Sequence, residues 1–246
     1  MAHTTGTVEY KVPGLPEPAK TWYKIVGNLN APGTIPLVIL HGGPGACHEY
    51  LLPHTDLVQP NRPLIFYDQI GNGQSTHLPD KAGDESFWTV DLFVKELDNL
   101  LTHLGLAGQP IDVYGHSWGG MLAAVWATTP DSLAARGLRR LVVSSSLASM
   151  DVWREGIETL RKRLPSDVRK ILDEAERKQD FESPEYEAAV EVFYKRHLSL
   201  ARPWPAPEVQ AALDWFAKDA TTYGTMYVFH HSQGIYLSTS PPSPMC

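Results

Sequence analysis

Cysteine is nearly absent from this chain of 246 residues: Cys47 and Cys246 are the only two. They cannot build a disulfide framework, so apolar burial has to hold the fold, and a reducing cytoplasmic setting is expected. Long apolar runs are missing as well. The longest, such as Leu37-Val38-Ile39-Leu40, are strand-sized and far too short to span a bilayer, so no membrane association is expected. Met1-Ala2-His3-Thr4-Thr5-Gly6 lacks the positive start and apolar core of a signal peptide. Positive charge is in the minority. The 21 Lys and Arg against 28 Asp and Glu leave a net charge of −7, and no basic stripe with interleaved aromatics occurs, which argues against nucleic acid as a partner. The local cluster Arg161-Lys162-Arg163 reads as a solvated helix face. The phosphate-binding signatures are missing too: the loop His41–Gly45 has no Lys-Ser/Thr, and no G-x-G-x-x-G occurs. No His, Cys and carboxylate set has metal-ligand spacing, so no metal site is expected.

What is present suits one globular domain with an inserted segment, at 43% hydrophobic and 20% charged residues. Apolar runs predict strands over Gly6–Val12, Thr21–Val26, Pro36–Leu40, Pro63–Tyr67, Ile111–Tyr114 and Leu138–Ser144. Between Thr89 and Leu104 the apolar residues Phe93, Leu97, Leu100, Leu101 and Leu104 keep a helical period, and Gly105 is placed to end it. Strands alternating with helices predict an α/β fold with a mostly parallel sheet covered on both faces. Ligands bind such sheets at the carboxyl ends of the strands, where the glycine-rich loops of this chain fall. From Asp151 to Thr225 the pattern turns helical, with stripes at Trp153, Ile157, Leu160, Leu164 and at Val168, Ile171, Leu172, Ala175. Ser183-Pro184-Glu185 reads as a helix start with a capping serine. Pro203-Trp204-Pro205-Ala206-Pro207 separates that helix from a last one over Glu208–Tyr223. The expected organisation is a core over 1–150, a helical cap over 151–226 and a divergent Ser/Pro-rich tail over 227–246.

Ser117 lies in Val113-Tyr114-Gly115-His116-Ser117-Trp118-Gly119-Gly120, a G-x-S-x-G between a predicted strand and a helix running up to Pro130. That context is the pattern of a nucleophile elbow, where glycines let strand and helix approach around a strained serine. A nucleophilic serine needs a base for its proton and donors for the oxyanion. The backbone N–H groups of Trp118 and, from the glycine-rich loop, Gly43 are the expected donors. His116 is next to Ser117, but successive side chains diverge, so it is expected to support the elbow. His41 is expected to bond within its loop, Cys47 to be a small packed residue, and His197 to be a satisfied core histidine.

Three motifs in order, HGGPG (His41–Gly45), DQIGNGQS (Asp68–Ser75) and GHSWGG (Gly115–Gly120), resemble the proline iminopeptidase family of α/β-hydrolases. Phe193-Tyr194-Lys195-Arg196-His197 followed by Pro203-Trp204-Pro205 is similar to the same family, and the resemblance runs to about Met226. It implies an α/β-hydrolase fold with an inserted helical cap. It also implies release of an N-terminal residue, often proline, from small peptides or amides through an acyl-enzyme, without metal or organic cofactor. Ser117 would be the nucleophile, with Gly43 and Trp118 as the oxyanion hole. His41, Gly42, Asp68, Gln69, Gly115, His116 and Gly119 would shape the pocket and the elbow. An esterase or biosynthetic acyl hydrolase on the same scaffold, and a catalytically inert binding protein or fragment, are the alternatives.

The chain departs from the family after Met226. Members continue from Tyr-Gly-Thr-Met into an Asn-Gly-Pro-x-Glu-Phe-like segment, whereas Tyr223-Gly224-Thr225-Met226 here runs into Tyr227-Val228-Phe229-His230-His231. Arg202 stands near the position where some members carry an acidic residue. In the order Ser…Asp/Glu…His the acid follows the seventh strand and the histidine the eighth, and residues 227–246 are too few for both. The chain therefore reads as C-terminally truncated, without a triad acid and histidine and with its sixth strand left as an open sheet edge. No spacing supports His230 or His231, oriented by Asp214 or Asp219, as a substitute base.

Overall fold

The first two strands, β1 (His3–Tyr10) and β2 (Ala19–Val26), form an antiparallel pair. A turn between them closes with Leu15 N–H on the Val12 carbonyl at 3.2 Å, with Gly14 at φ +86° as such a turn after Pro13 requires. β1 starts earlier than its apolar run because Thr4 and Thr5 extend the ladder opposite Ile25 and Lys24. The computed structural model describes residues 2–228. Four further strands follow: β3 (Leu37–Leu40), β4 (Leu64–Asp68), β5 (Ile111–His116) and β6 (Leu138–Ser144). Their spatial order is β1-β2-β4-β3-β5-β6, with β2 antiparallel to β4 and every later pairing parallel. This is the architecture of the α/β-hydrolase fold.

The central strands are apolar at successive positions because both of their faces are covered. Val38, Leu40, Ile65 and Tyr67 face a core built with α1 (Val90–His103) and α2 (Trp118–Thr128). Leu37, Ile39, Leu64 and Phe66 face a second cluster with Val26 and Leu51. Burying a Leu or Phe of this kind is worth about 1.5–3 kcal/mol, so these two clusters dominate the stability of the sheet. The ends of α1 are set locally. Thr89 caps its first turn by accepting from Leu92 N–H, and Gly105, at φ +71°, lets Leu106 N–H return to the Leu101 carbonyl at 2.8 Å.

After the short α3 (Ala134–Gly137) and β6 comes a run of helices: α4 (Met150–Arg161), α5 (Ser166–Lys178), α6 (Pro184–His197), α7 (Pro207–Lys218) and α8 (Thr221–Val228). Leu164, Val168, Leu172, Ala175, Tyr186, Ala189 and Phe193 form a separate apolar cluster there, packed against Ile157 and Leu160. None of the helices among the described residues is long and apolar enough to cross a membrane.

Several local expectations are corrected. Arg161 is buried, because Asp173 and Glu176 on α5 reach its guanidinium at 2.6 and 2.7 Å; only Lys162 and Arg163 face solvent. Ser183 has the extended backbone of a cap but makes no side-chain capping bond, so Pro184 at the first turn marks this helix start. The expected last helix is two helices. Asp219 is extended and its Oδ1 accepts from Thr221 N–H at 2.9 Å, which ends α7 and starts α8. α8 then continues through Met226 to Val228. The rim of the apolar cluster holds His197, half-buried with its ring 5.0 Å from Phe193, and its Nε2 has no hydrogen-bond partner among the described residues.

Candidate active site

Three adjacent strands, β4, β3 and β5, end on the same side of the sheet, and each runs into one of the three glycine-rich motifs. The turn from β5 into α2 holds Ser117 at φ 53° and ψ −121°, a conformation that costs a non-glycine residue about 1–3 kcal/mol. Surrounding bonds hold it there. Ser117 N–H donates to the Ser144 carbonyl at 3.0 Å, and the Ser117 carbonyl accepts from Gly120 N–H at 2.9 Å and Ser146 Oγ at 2.8 Å. The glycines are obligatory by contact. A Cβ on Gly115 would collide with the Gly119 carbonyl, and one on Gly119 would strike the carbonyls of Leu40 and His41.

Facing the serine is the loop after β3. A Cβ on Gly42 would lie 3.1 Å from Ser117 Cβ, so loop and elbow are in contact. Gly43 sits at φ +111°, where only glycine is free of strain. Among the described residues neither the Gly43 N–H nor the Trp118 N–H meets an acceptor, whereas the Gly42 N–H is taken by Tyr50 Oη at 2.7 Å. Ser117 Oγ likewise makes no hydrogen bond among the described residues.

The remaining predicted site residues form a buried scaffold under this loop. The His41 ring donates from Nδ1 to the Gly42 carbonyl at 2.8 Å and accepts at Nε2 from Gln69 N–H at 3.0 Å. That pattern fixes a neutral tautomer, in keeping with burial, which lowers the pKa of the ring despite nearby Asp68. The Gln69 side chain bonds the His41 carbonyl and accepts from Trp118 Nε1 at 2.8 Å, linking the β3, β4 and β5 loops. Asp68 is fully buried, and its hydrogen bonds go to residues other than the serine. Its carboxylate accepts from His48 N–H, His48 Nδ1 and Gln74 N–H at 2.9–3.0 Å, and its carbonyl accepts from Ser75 Oγ. His116 Nδ1 meets Tyr50 Oη at 2.8 Å, and burial followed by the neighbouring His54 lowers the pKa of its ring.

Sequence reasoning missed His48 and Tyr50, because nothing in their spacing announces partners 20 and 66 residues away. The fold also gathers one group that spacing hides: ligand atoms of Cys47, Glu49 and Asp68 lie within 4.8 Å of one another. Its chemistry suits packing better than a cation. Burial pushes the Cys47 thiol well above the usual range, Asp68 is committed to His48, and Glu49 Oε1 accepts from Trp215 Nε1 at 2.8 Å. Asp219 and Asp214 are engaged elsewhere, with His77 Nδ1 at 2.5 Å and Gln210 Nε2 at 2.7 Å, while His230 and His231 lie outside the described residues.

Comparison with known proteins identifies the fold and the family. The family described as alpha/beta hydrolase fold matches residues 35–206. A proline iminopeptidase of Lactobacillus delbrueckii subsp. lactis is 37% identical over 185 residues, covering 75% of this chain and 60% of that protein. The crystal structure of VinJ superposes with a TM-score of 0.79 at 43% identity, and that of a proline iminopeptidase from Mycobacterium smegmatis with 0.74 at 35%. Each of these two matches covers 89% of this chain and 69% of the other. The chain thus spans about 60% of the length of the curated relatives it matches.

Proposed function

Since this chain belongs to the α/β-hydrolase fold family, among the proline iminopeptidases and their relatives, we propose that its site performs acyl transfer from a serine. The substrate would be a small peptide or amide from which an N-terminal residue, proline or a similar one, is released. One observation carries the reading: Ser117 is held at φ 53° in contact with a glycine loop, and the N–H groups of Gly43 in that loop and of Trp118 meet no acceptor among the described residues. Attack by Ser117 Oγ forms the ester bond and breaks the C–N bond, with the departing amine taking up the proton. Water then cleaves the ester and restores the hydroxyl. Gly43 and Trp118 N–H would hold the oxyanion; removing one such donor typically costs about 10²–10³ in rate. His116, with Nδ1 engaged by Tyr50, supports the elbow.

Proton transfer sets the expected rate. No base bonds Ser117 Oγ among the described residues, so the first test uses a probe electrophilic enough to report on the serine itself. This chain is expected to react with an electrophilic fluorophosphonate at Ser117 and to lose the label in Ser117→Ala. Turnover of a prolyl amide above that of a short-chain ester would support the peptidase reading. The reverse order would favour an esterase, and absence of label on folded protein would sink the acyl-transfer reading.

A further inference from the structure

Both peptide groups that meet at Gly42 are pinned. Its N–H donates to Tyr50 Oη at 2.7 Å, and its carbonyl accepts from His41 Nδ1 at 2.8 Å and Ala46 N–H at 3.2 Å. In a planar trans peptide the N–H points opposite to the carbonyl, so a fixed Gly42 carbonyl also fixes the direction of the Gly43 N–H.

The Tyr50 hydroxyl has one proton to give. Having accepted from Gly42, it also hydrogen-bonds His116 Nδ1 at 2.8 Å, on the residue immediately before Ser117, and can donate there when the His116 proton is on Nε2. The two rings meet edge-on with centroids 5.3 Å apart. A neutral His116 suits the acceptor role, and burial keeps the ring neutral. A Cβ on Gly42 would lie 3.0 Å from Tyr50 Oη, 3.1 Å from Ser117 Cβ and 3.2 Å from the His116 carbonyl. The hydroxyl therefore spans the seam between the loop and the elbow.

We propose that Tyr50 is a positioning residue for acyl transfer, its hydroxyl tying the Gly42–Gly43 loop to the elbow through His116 so that the Gly43 N–H stays aimed at the oxyanion. This rests on the reading of Ser117 and Gly43 given above. Tyr50 acts through Gly42, not on the reacting atoms. Without the hydroxyl, Gly42 N–H and His116 Nδ1 both lose their partner, and the loop is free to shift by a fraction of an ångström. Displacements approaching 1 Å in such sites cost up to about a hundredfold in rate.

The test uses the full chain as wild type, Tyr50→Phe, His116→Ala and the double variant, each checked for folding by its melt. Two quantities are read: the rate of Ser117 phosphonylation per folded molecule, and exchange of the Gly42 amide by NMR. Tyr50→Phe is expected to slow phosphonylation by about tenfold to a hundredfold and to speed Gly42 exchange at least tenfold. His116→Ala should slow phosphonylation similarly, and the double variant should lose little more, because the two residues act as one unit. A merely structural Tyr50 would lower the melting temperature and leave the rate of folded protein unchanged. If wild type labels and Tyr50→Phe labels within twofold of its rate, the proposal is overturned while the acyl-transfer reading stands. If folded wild type takes no label at Ser117, that reading falls. Gly42 exchange then still decides the tie: no change overturns it, and a tenfold rise upholds it. Should Tyr50→Phe fail to fold, His116→Ala carries the same expectation with the Tyr50 ring in place.

Discussion

Replacing Glu96 by glutamine should remove a pH-dependent weakness from the middle of the core. Glu96 lies on α1, fully buried, with Oε1 accepting from Thr21 Oγ1 at 2.5 Å and from Ile70 N–H at 2.9 Å. Its Oε2 is buried without a partner among the described residues, as is the hydroxyl of Tyr67. Burial raises the carboxyl from its ordinary 4.5 to about 8, against the two hydrogen bonds and with some help from Asp68. An unfolded chain ionises this group near 4.5, whereas the folded protein keeps the proton until about 8. Between those values the unfolded state binds fewer protons, so stability falls as pH rises, by about 1.4 kcal/mol per pH unit from this group. The whole window corresponds to at most about 5 kcal/mol, a large share of an ordinary folding free energy. Glu96→Gln keeps the Oε1 acceptor for Thr21 and Ile70 and has no charge to bury. Urea unfolding of both proteins from pH 4.5 to 8.5 is the assay, and the difference between their curves is read so that other titrations cancel. The variant should match wild type within about 1 kcal/mol at the acid end and be about 3–5 kcal/mol more stable at the alkaline end. Parallel curves would refute the reasoning, since they would mean that Glu96 titrates alike in the folded and unfolded chain.

Other outcomes follow from contacts already described. Gly119→Ala places a methyl on the carbonyls of Leu40 and His41, which are fixed backbone, and should cost at least about 3 kcal/mol or abolish soluble expression; a normal melt would contradict the packing. At the edge of the sheet, β6 pairs only with β5 among the described residues, and Val142 and Val143 are 51% and 50% exposed on opposite faces. Val142→Lys with Val143→Lys should reduce light scattering of the purified chain, and unchanged self-association would mean that this edge is not what drives it. His77→Ala or Asp219→Asn should loosen the α7–α8 junction from the β4 loop, read as faster proteolysis near residue 219 with little change in α1. Burial opposes ionisation of Asp219, but hydrogen bonds from His77 and Thr221 outweigh it and hold the carboxyl below its usual range. The stability it contributes is therefore present above about pH 3.8 and lost as pH falls below, so acid should release α8 in wild type but make no such difference in Asp219→Asn.

What the sequence determined by itself is local or ordered along the chain. The apolar runs of β3 and β4, the helical period of α1 with its Thr89 and Gly105 ends, and the order of the three glycine motifs all rest on spacing within a few residues. The sterics that place glycines around Ser117 belong to the same class. Such features are legible because a strand, a helix or a tight turn imposes its period on adjacent residues. Tertiary structure alone decided which loops meet. The order β4-β3-β5 brings His41, Gln69 and Trp118 into one hydrogen-bonded set, and the fold drops Tyr50 between Gly42 and His116. It also buried Arg161 against α5, split the last predicted helix at Asp219 and carried His77 to it. Apart from the local Asp219–Thr221 bond, these outcomes depend on residues 8 to 142 positions apart becoming neighbours, and a burial or an ion pair at that range has no periodic trace in the chain.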